Sequence, residues 1–482
     1  MHNQVTIGDR IERMSLEARN QSLYSLIRSQ AIDTLKILEH AINEGAQVVH
    51  FQQGVWQKDA QQEQTYTRQQ INKPEYWILF HQNEHTIQAL PSFQQACEAV
   101  RSDAIWGKHM DTLVGSASGA TRIDLNGLLN SFAHQSLMFN NSFVLSETSF
   151  NDLIDTYEQF FSSDKVTYVR YTPVYGISIS ERMSISDNIA IGPLEEEEII
   201  ESMDMGLITS NFFGMATDFI HNPPQAAIFS YFSLPKVIGE SNPEQTQSNL
   251  KSFTDVWNQL SVDITTLLDI LTLILESPVT PLGSITKSVH GRDGARQIQK
   301  NSVVNAWAIP NKEFTTESQQ RLHTLWPIIY GSTRKSRHFL AIGIRRYALA
   351  MSRPSLDDRL IDLMISAESI FLDTNKNELT FRLSHRVALL LGSTSEEQKE
   401  LFKFMKDAYG MRSKVVHGSK SYVNDPHDAE ELSQTINRLS EIMRRSLLLM
   451  LDKALNPHAP KELIDWTELM FPVAAPTSVA RE

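Results

Sequence analysis

Between residues 315 and 455 the sequence is a succession of amphipathic segments, each with its own start and stop signals. Ser355 stands where an N-cap is expected, Asp425-Pro426 fits the N-cap and first position of another helix, and Gly392 and Gly418 fit helix ends. Apolar residues at helical spacing fill each segment. This pattern predicts an all-α bundle of four or five helices. The predicted segments are 316–329, 333–351, 355–372, 379–391, a segment capped by Ser393 or Ser395 that ends at 418, and 426–455.

The segment that ends at Gly418 carries an arginine and a histidine, Arg412 and His417, in its final turns. The negative end of the helix dipole favours an imidazolium there, which suits a histidine that exchanges protons. Positions five apart on a helix diverge by about 140° and rise about 7.5 Å, so the two side chains flank a cleft rather than bond each other. Such a site is completed by a second helix or a second copy of the chain. The alternative is a surface arginine and a capping histidine.

Charge is distributed unevenly along this acidic chain, whose net charge is −13. Residues 315–455 hold 21 basic against 17 acidic residues, whereas residues 1–314 hold 21 against 36. The overall balance excludes a protein that coats nucleic acid nonspecifically, because phosphate binding needs a local excess of Lys and Arg. The basic clusters Arg334, Lys335, Arg337 and Arg345, Arg346 fit an RNA-facing surface, or equally a solvated helix face.

The first 310 residues have a different pattern, so the fold class that we predict is multidomain α+β. Residues 9–44 have helical periodicity up to Gly45, and helix-like pieces recur at 93–100 and 150–161. The period is two between Val166 and Ile191, which predicts a small antiparallel sheet. Glu195–Glu198 opens a helix, and the polar stretch 239–249 is interpreted as a linker. The predicted domains are a mixed α/β region (1–160), a strand-rich then helical regulatory region (161–310), the helical bundle (311–455) and a tail (456–482).

Neither a metal nor a cofactor is indicated. Cys97 is the only cysteine, which excludes an internal disulfide and a cysteine-rich zinc site, and the histidines show no metal-binding spacing. The glycine-containing stretches 115–122 and 288–297 lack the GK[ST] ending of a phosphate-binding loop. The first residues, MHNQVTIGDRIERM, do not resemble a signal peptide, and Ile264–Leu275 is too short and too polar to span a bilayer. We therefore expect a soluble cytoplasmic protein without a membrane partner.

Three ordered motifs carry a family resemblance. DDRLIDLMISAESIFL, ELTFRLSHRVALLLG and FKFMKDAYGMRSKVVHG together resemble the Apea-like branch of the HEPN superfamily over about residues 352–451. That family has an acidic residue in the first of these helices, an R-x-A-x-LL helix and the ending Y-x-x-R-S-x-[IV]-[IV]-H-G. The resemblance implies an all-α HEPN bundle that acts as a homodimer, and a metal-independent ribonuclease whose catalytic residues are Arg412 and His417.

The resemblance also bears on five other residues. Ser413 stands where many HEPN nucleases have Asn or Asp, and Lys414 is a candidate for holding phosphate. Tyr409 either stacks on a base or packs in the bundle, with packing favoured. Glu368 and Arg386 match further family positions, and we interpret them as a buried structural pair between helices rather than as catalytic residues.

The function that the resemblance implies is bacterial anti-phage defence by abortive infection, through cleavage of RNA such as tRNA. The ribose 2′-hydroxyl would attack, and the products would end in 2′,3′-cyclic phosphate. Acidic residues 1–314 would restrain the nuclease, sense a phage-encoded trigger protein, or shield the basic cleft. The alternatives are a noncatalytic HEPN module that dimerises and binds RNA or protein, and a helical scaffold in which the motif is coincidental.

Overall fold

Helices and antiparallel strands both contribute long stretches of the chain, so the protein is a mixed α+β protein as predicted. The computed structural model describes residues 20–470 except 63, 111–112, 117–118, 209–210, 213–214, 217–218, 236–237, 240–242, 289–296, 302–308, 331–337, 373–376, 419–424, 457 and 459–462. The predictions for the first nineteen residues, for the cluster Arg334, Lys335 and Arg337, and for most of the tail lie outside the described residues.

The N-terminal part has a hydrophobic core of its own, formed by residues between Leu23 and Phe161. Trp106 is buried at its centre and stacks obliquely against Tyr157 and Phe161. Beside this helical core, a long antiparallel hairpin pairs Val49–Lys58 with Thr65–Glu75. The elements are α1 (Gln21–Asn43), β1 (Val49–Lys58), β2 (Thr65–Glu75), α2 (Trp77–Gln82), α3 (Glu84–Gln88), α4 (Pro91–Ser102), a 3-10 turn (Gly107–His109), β3 (Leu113–Ser116), β4 (Gly119–Arg122), α5 (Leu125–Asn140) and α6 (Glu147–Ser162).

The central part is built on a seven-stranded antiparallel sheet. The predicted strands between residues 166 and 191 are confirmed, and of the strands from residues 226–300 one lies between two of them while the others extend the sheet on one side. The elements are β5 (Lys165–Tyr175), β6 (Ile177–Ser178), β7 (Met183–Ser186), β8 (Ile189–Pro193), α7 (Glu196–Asp204), β9 (Asn211–Phe212), β10 (Met215–Ala216), β11 (Phe219–His221), β12 (Ala226–Pro235), β13 (Ile238–Gly239), α8 (Pro243–Leu275), β14 (Thr280–Pro281), β15 (Gly283–Ser288), β16 (Gln297–Lys300) and β17 (Lys312–Glu313). The strand order is β16-β15-β5-β12-β8-β7, and β14 also pairs with β5.

The helix predicted after Pro193 is confirmed, whereas the predicted linker is wrong in its second half. Glu195 caps α7 in a capping box with Glu198. Helix α8 begins at Pro243, inside the polar stretch that we interpreted as a linker. Proline is favoured at the first helical position, and the polar residues after it are tolerated because the helix gains its stability from its apolar second half.

Helix α8 is the longest helix that the structure describes, and it lies against both the sheet and the C-terminal helices. Residues Thr254–Leu275 have a mean hydropathy of 1.3, which by length and composition would allow them to cross a membrane. However, 61% of the apolar window is buried within the protein. A helix that is apolar on most sides is expected where protein covers it from two directions, as it does here.

The described residues between 316 and 454 form six helices, one in each of the six predicted segments, whereas the predicted bundle had four or five helices. They are α9 (Thr316–Tyr330), α10 (His338–Ser352), α11 (Leu356–Phe371), α12 (Leu379–Leu391), α13 (Ser395–Val416) and α14 (Pro426–Ala454), and a short helix α15 (Trp466–Met470) follows. Ser355 and Asp425 cap their helices as predicted, through side chains that accept backbone N–H groups. Helix α13 is capped by Thr394 in a capping box with Glu397, so neither Ser393 nor Ser395 is the cap.

A single hydrophobic core joins the central sheet to the C-terminal helices. It extends from Val174 and Ile228 on one face of the sheet, through Leu267 and Leu271 of α8, to Leu447 of α14. Helix α8 contacts α9 and α10 as well as strand β12. The C-terminal helices therefore bury part of their apolar surface on α8 and not only on one another.

Candidate functional site

Helix α13 carries most of the predicted site residues. Met405, Ala408 and Met411 form its buried face, at the spacing that places side chains on one side of a helix. Tyr409 and Arg412 each follow one of these buried residues in the sequence. Their side chains are half-buried at the rim of the core. The local sequence thus fixes the position of Arg412, because the apolar residues on either side of it anchor the helix.

Arg412 rests against Tyr409. The Cζ atom of Arg412 lies 5.9 Å from the centroid of the Tyr409 ring, within the range of a cation–π contact. The Nε atom of Arg412 is buried and has no hydrogen-bond partner among the described residues. A guanidinium group held in this way keeps donor capacity for an added anion.

Tyr409 in turn connects α13 to α11. Its hydroxyl group donates a hydrogen bond to the carboxylate of Glu368, and burial together with this carboxylate raises the pKa of Tyr409, against the opposing effect of Arg412. Tyr409 packs against the hydrophobic core. Glu368, Tyr409 and Arg412 therefore form a chain of contacts from the first of the motif helices to the third.

His417 lies at the C-terminal end of the same helix, in a different environment. It is the C-cap residue, its backbone N–H group donates to the carbonyl of Ser413 at 3.0 Å, and its side chain is exposed. Gly418 follows in the left-handed conformation, with φ of +65°, which confirms its predicted place at the helix end. The imidazole ring is accessible to a ligand from solvent.

The two remaining residues of the motif that were singled out point away from the deep core. Ser413 is half-buried and Lys414 is exposed. Val416, next to His417, exposes 48% of its surface although it is apolar. The end of α13 thus presents a mixed surface, with a cation, an imidazole and an apolar side chain close together in sequence.

Arg386 contacts two neighbouring helices. It donates a hydrogen bond from Nη1 to the carbonyl oxygen of Phe371 at 2.6 Å, and its Cζ atom lies 5.0 Å from the centroid of the Trp466 ring. These contacts join α12 to the end of α11 and to α15. Arg386 therefore joins helices through Phe371, and Glu368 joins helices through Tyr409. The interpretation of Glu368 and Arg386 as a pair with each other stays a prediction.

The basic cluster Arg345, Arg346 is engaged with acids of neighbouring helices. Nη1 of Arg346 lies 2.7 Å from Oδ1 of Asp362, and Nη1 of Arg345 lies 3.8 Å from Oδ2 of Asp269. Nε of Arg353 is 3.1 Å from the second oxygen of Asp362, whose side chain is only 4% exposed. We did not predict this bridge, although the lone acid within the apolar sequence LIDLM was a signal for a buried ion pair.

Among the described residues no group of three or more His, Cys, Asp or Glu side chains is arranged to hold a metal ion. What the residues at the end of α13 can do chemically is donate hydrogen bonds to an anion and exchange a proton. Arg412 supplies the fixed cation, and His417 supplies the accessible imidazole.

Comparison with known proteins does not assign a family. No protein-family model matches the chain, and no solved structure matches it significantly. A segment of 181 residues is 22% identical to the intermembrane lipid transfer protein vps13A of Dictyostelium discoideum. This segment is 36% of the present chain and 5% of that relative, so the match covers a small fraction of the relative's length. The resemblance to Apea-like HEPN proteins therefore stays a prediction.

Proposed function

We propose that the protein is a metal-independent endoribonuclease of the HEPN type, with Arg412 and His417 as its catalytic residues. The observation that carries the proposal is the contrast between these two residues at one helix end. Arg412 is half-buried, held against Tyr409 and left with a buried donor atom, whereas His417 is exposed. A ribonuclease needs both a fixed cation at the phosphate and an accessible proton acceptor.

The chemistry that these residues supply is transfer of the phosphodiester to the neighbouring 2′-oxygen. His417 removes the proton from the 2′-hydroxyl group as that oxygen attacks phosphorus. Arg412 stabilises the added negative charge of the phosphorane. The bond to the 5′-oxygen then breaks, that oxygen takes up a proton, and the products are a 2′,3′-cyclic phosphate and a 5′-hydroxyl end.

A second copy of the chain completes the site in this proposal. Along a helix, residues five apart are separated by about 7.5 Å and point about 140° apart, so one chain does not bring both groups to one phosphate unaided. The exposed Val416 beside His417 adds apolar surface at the same end. We therefore propose a homodimer in which the C-terminal ends of the two α13 helices face each other.

The substrate class that fits this chemistry is RNA with unstacked nucleotides, such as the loops of tRNA, because in-line attack needs a flexible phosphodiester. We propose that the enzyme works in the cytoplasm as part of bacterial anti-phage defence by abortive infection. In that setting the acidic residues 1–314 restrain the nuclease until a phage-encoded protein is present.

The experiment that tests this function is cleavage of tRNA in EDTA by the purified full chain, beside Arg412→Ala and His417→Ala. We expect wild type to cut and both variants to lose at least a hundredfold in rate, with cyclic phosphate on the wild-type fragments. Arg438→Ala and His427→Ala are matched controls. Arg438 also lies over an aromatic ring, that of Phe404, and His427 is also exposed, and neither belongs to the proposed site.

Two outcomes contradict the proposal. Equal cleavage by all five proteins assigns the activity to another site or to a contaminant. If the wild-type chain binds tRNA as a dimer but never cuts it, even after limited proteolysis has removed residues 1–242, the noncatalytic RNA-binding module is the correct alternative.

A further inference from the structure

A group of polar side chains lies buried in the middle of the central sheet, far from α13 in sequence. Arg170 occupies the middle of β5 and is 6% exposed. Its cross-strand neighbours on the same face are Ser230 of β12 and Thr286 of β15, which are 0% and 1% exposed. Thr172, two residues along β5 on the same face, is also buried. A polar row at the centre of a sheet is unusual, because such positions are normally apolar.

Within the part of the chain that the structure describes, six polar atoms of these side chains and of the neighbouring Ser288 have no hydrogen-bond partner. The unpartnered buried atoms are Nε and Nη1 of Arg170 and the hydroxyl oxygens of Thr172, Ser230, Thr286 and Ser288. A buried polar atom without a partner costs about 1–3 kcal/mol, and a charged group costs more. Several such atoms on one face of one sheet indicate that something else satisfies them.

Arg170 is also without a carboxylate partner among the described residues. Burial alone lowers the pKa of its guanidinium group, to about 10. The Cζ atom lies 4.7 Å from the centroid of the Trp257 ring, and Nη2 donates to Oε1 of Gln299 at 3.1 Å. The buried acid on the same helix as Trp257 is Asp263, and it is engaged by Gln259 and Tyr330. Among the residues that the structure describes, the positive charge is therefore buried without a carboxylate to compensate it.

Gln299 connects the cluster to the edge of the sheet. Gln299 lies on β16, at the edge of the sheet, and is exposed, yet its amide oxygen reaches the buried guanidinium group. The contact between an exposed edge residue and a buried cation marks the side from which a small ligand can approach Arg170.

We propose that Arg170, Thr172, Ser230, Thr286 and Ser288 form a buried binding site for an oxyanion, the phosphate or carboxylate group of a small ligand. Arginine has only donors, and hydroxyl groups can donate, so the cluster matches a group that has only acceptors and carries negative charge. A water molecule would satisfy some donors but would leave the charge uncompensated. The proposed site does not depend on the ribonuclease proposal.

The test is isothermal titration of the full chain, in a chloride buffer without phosphate, with three probes: inorganic phosphate, acetate and adenosine 5′-monophosphate. We expect one-to-one binding of at least one probe, and at least tenfold weaker binding by Arg170→Gln. The probe that binds identifies the source of the oxyanion as free phosphate, a carboxylate or a nucleotide. Arg182→Gln is the matched control, because Arg182 lies 3.8 Å over the Phe229 ring and has Glu198 as its partner.

A second pair of variants keeps the proposal testable if Arg170→Gln does not fold. Thr286→Val replaces an unpartnered hydroxyl group with a methyl group of similar size, and Ser230→Ala removes one. We expect both variants to be at least as stable as wild type without a probe, and to bind the probe several-fold more weakly. Binding that is unchanged in these variants, or no binding of any probe by wild type, overturns the proposal.

Discussion

The hydroxyl group of Tyr409 joins α11 to α13, and the contribution of this contact to stability can be measured. We expect Tyr409→Phe to lower the free energy of unfolding by about 1 kcal/mol, because the carboxylate of Glu368 loses its donor in a half-buried position. Urea unfolding provides the measurement. In a Glu368→Gln background the same substitution should cost less, since the charge-assisted part of the hydrogen bond is already gone. An equal cost in both backgrounds contradicts the contact.

Asp269 on α8 makes stability depend on pH. Burial raises its pKa to about 7, well above the ordinary value for a carboxyl group, against the opposing charge of Arg345. Between about pH 4 and pH 7 the folded protein therefore holds this proton more tightly than the unfolded chain, so its contribution to stability falls as the pH rises through that window.

We expect Asp269→Asn to be more stable than wild type by at least about 1 kcal/mol at pH 8 and nearly equal to it at pH 4.5. Urea unfolding at the two pH values measures the difference. Asp452→Asn, which changes an exposed acid paired with Arg321, is the control and should show no such pH dependence. A stability difference that is the same at both pH values would contradict the raised pKa.

At the scale of elements, two glycines in helices have opposite surroundings. A Cβ atom on Gly343 of α10 would lie 2.8 Å from Ile370 and 3.1 Å from Leu447, whereas a Cβ atom on Gly410 of α13 would meet nothing within 4 Å. Gly343 thus permits the close approach of α10, α11 and α14. Gly410 only lowers the helix propensity of α13.

We therefore expect Gly343→Ala and Gly410→Ala to change stability in opposite directions. Alanine at residue 410 should stabilise the protein by up to about 1 kcal/mol through helix propensity. Alanine at residue 343 should destabilise it by about 1–3 kcal/mol, because overpacking outweighs the same gain. Thermal unfolding of the two variants beside wild type decides this, and a stabilised Gly343→Ala protein would contradict the packing of the three helices.

At the scale of the whole molecule, the core that joins the sheet to the C-terminal helices limits how the chain can be divided. Because α8 contacts α9 and α10, residues 311–470 alone would expose the apolar surface that α8 covers. We expect residues 243–470 to be soluble and to unfold cooperatively, and residues 311–470 to aggregate or to unfold without a sharp transition. Urea unfolding and light scattering of the two fragments test this, and equal behaviour would show that α8 is dispensable.

The features that could be predicted from the sequence follow from the local rules of helix formation. The helices of the C-terminal part follow from apolar spacing and caps, so α12 and the start of α14 agree with their predicted bounds. The cap of α13 was not decidable in this way, since Ser393, Thr394 and Ser395 each precede a Glu or Gln by three residues and all fit a capping box. Likewise, the sequence placed Arg412 and His417 at one helix end, because helical periodicity extends to Gly418.

The tertiary structure decided the contacts between segments distant in sequence. It pairs β5 with β12 and β15, more than 50 residues away, which makes a small predicted sheet into a seven-stranded one. It gives Glu368 the hydroxyl group of Tyr409 and Arg386 the carbonyl of Phe371, two contacts that the motif positions alone did not indicate. It also brings Arg170 under Trp257 with its neighbouring hydroxyl groups. Periodicity fixes which face of an element is apolar, but the partner of that face depends on how the whole chain packs.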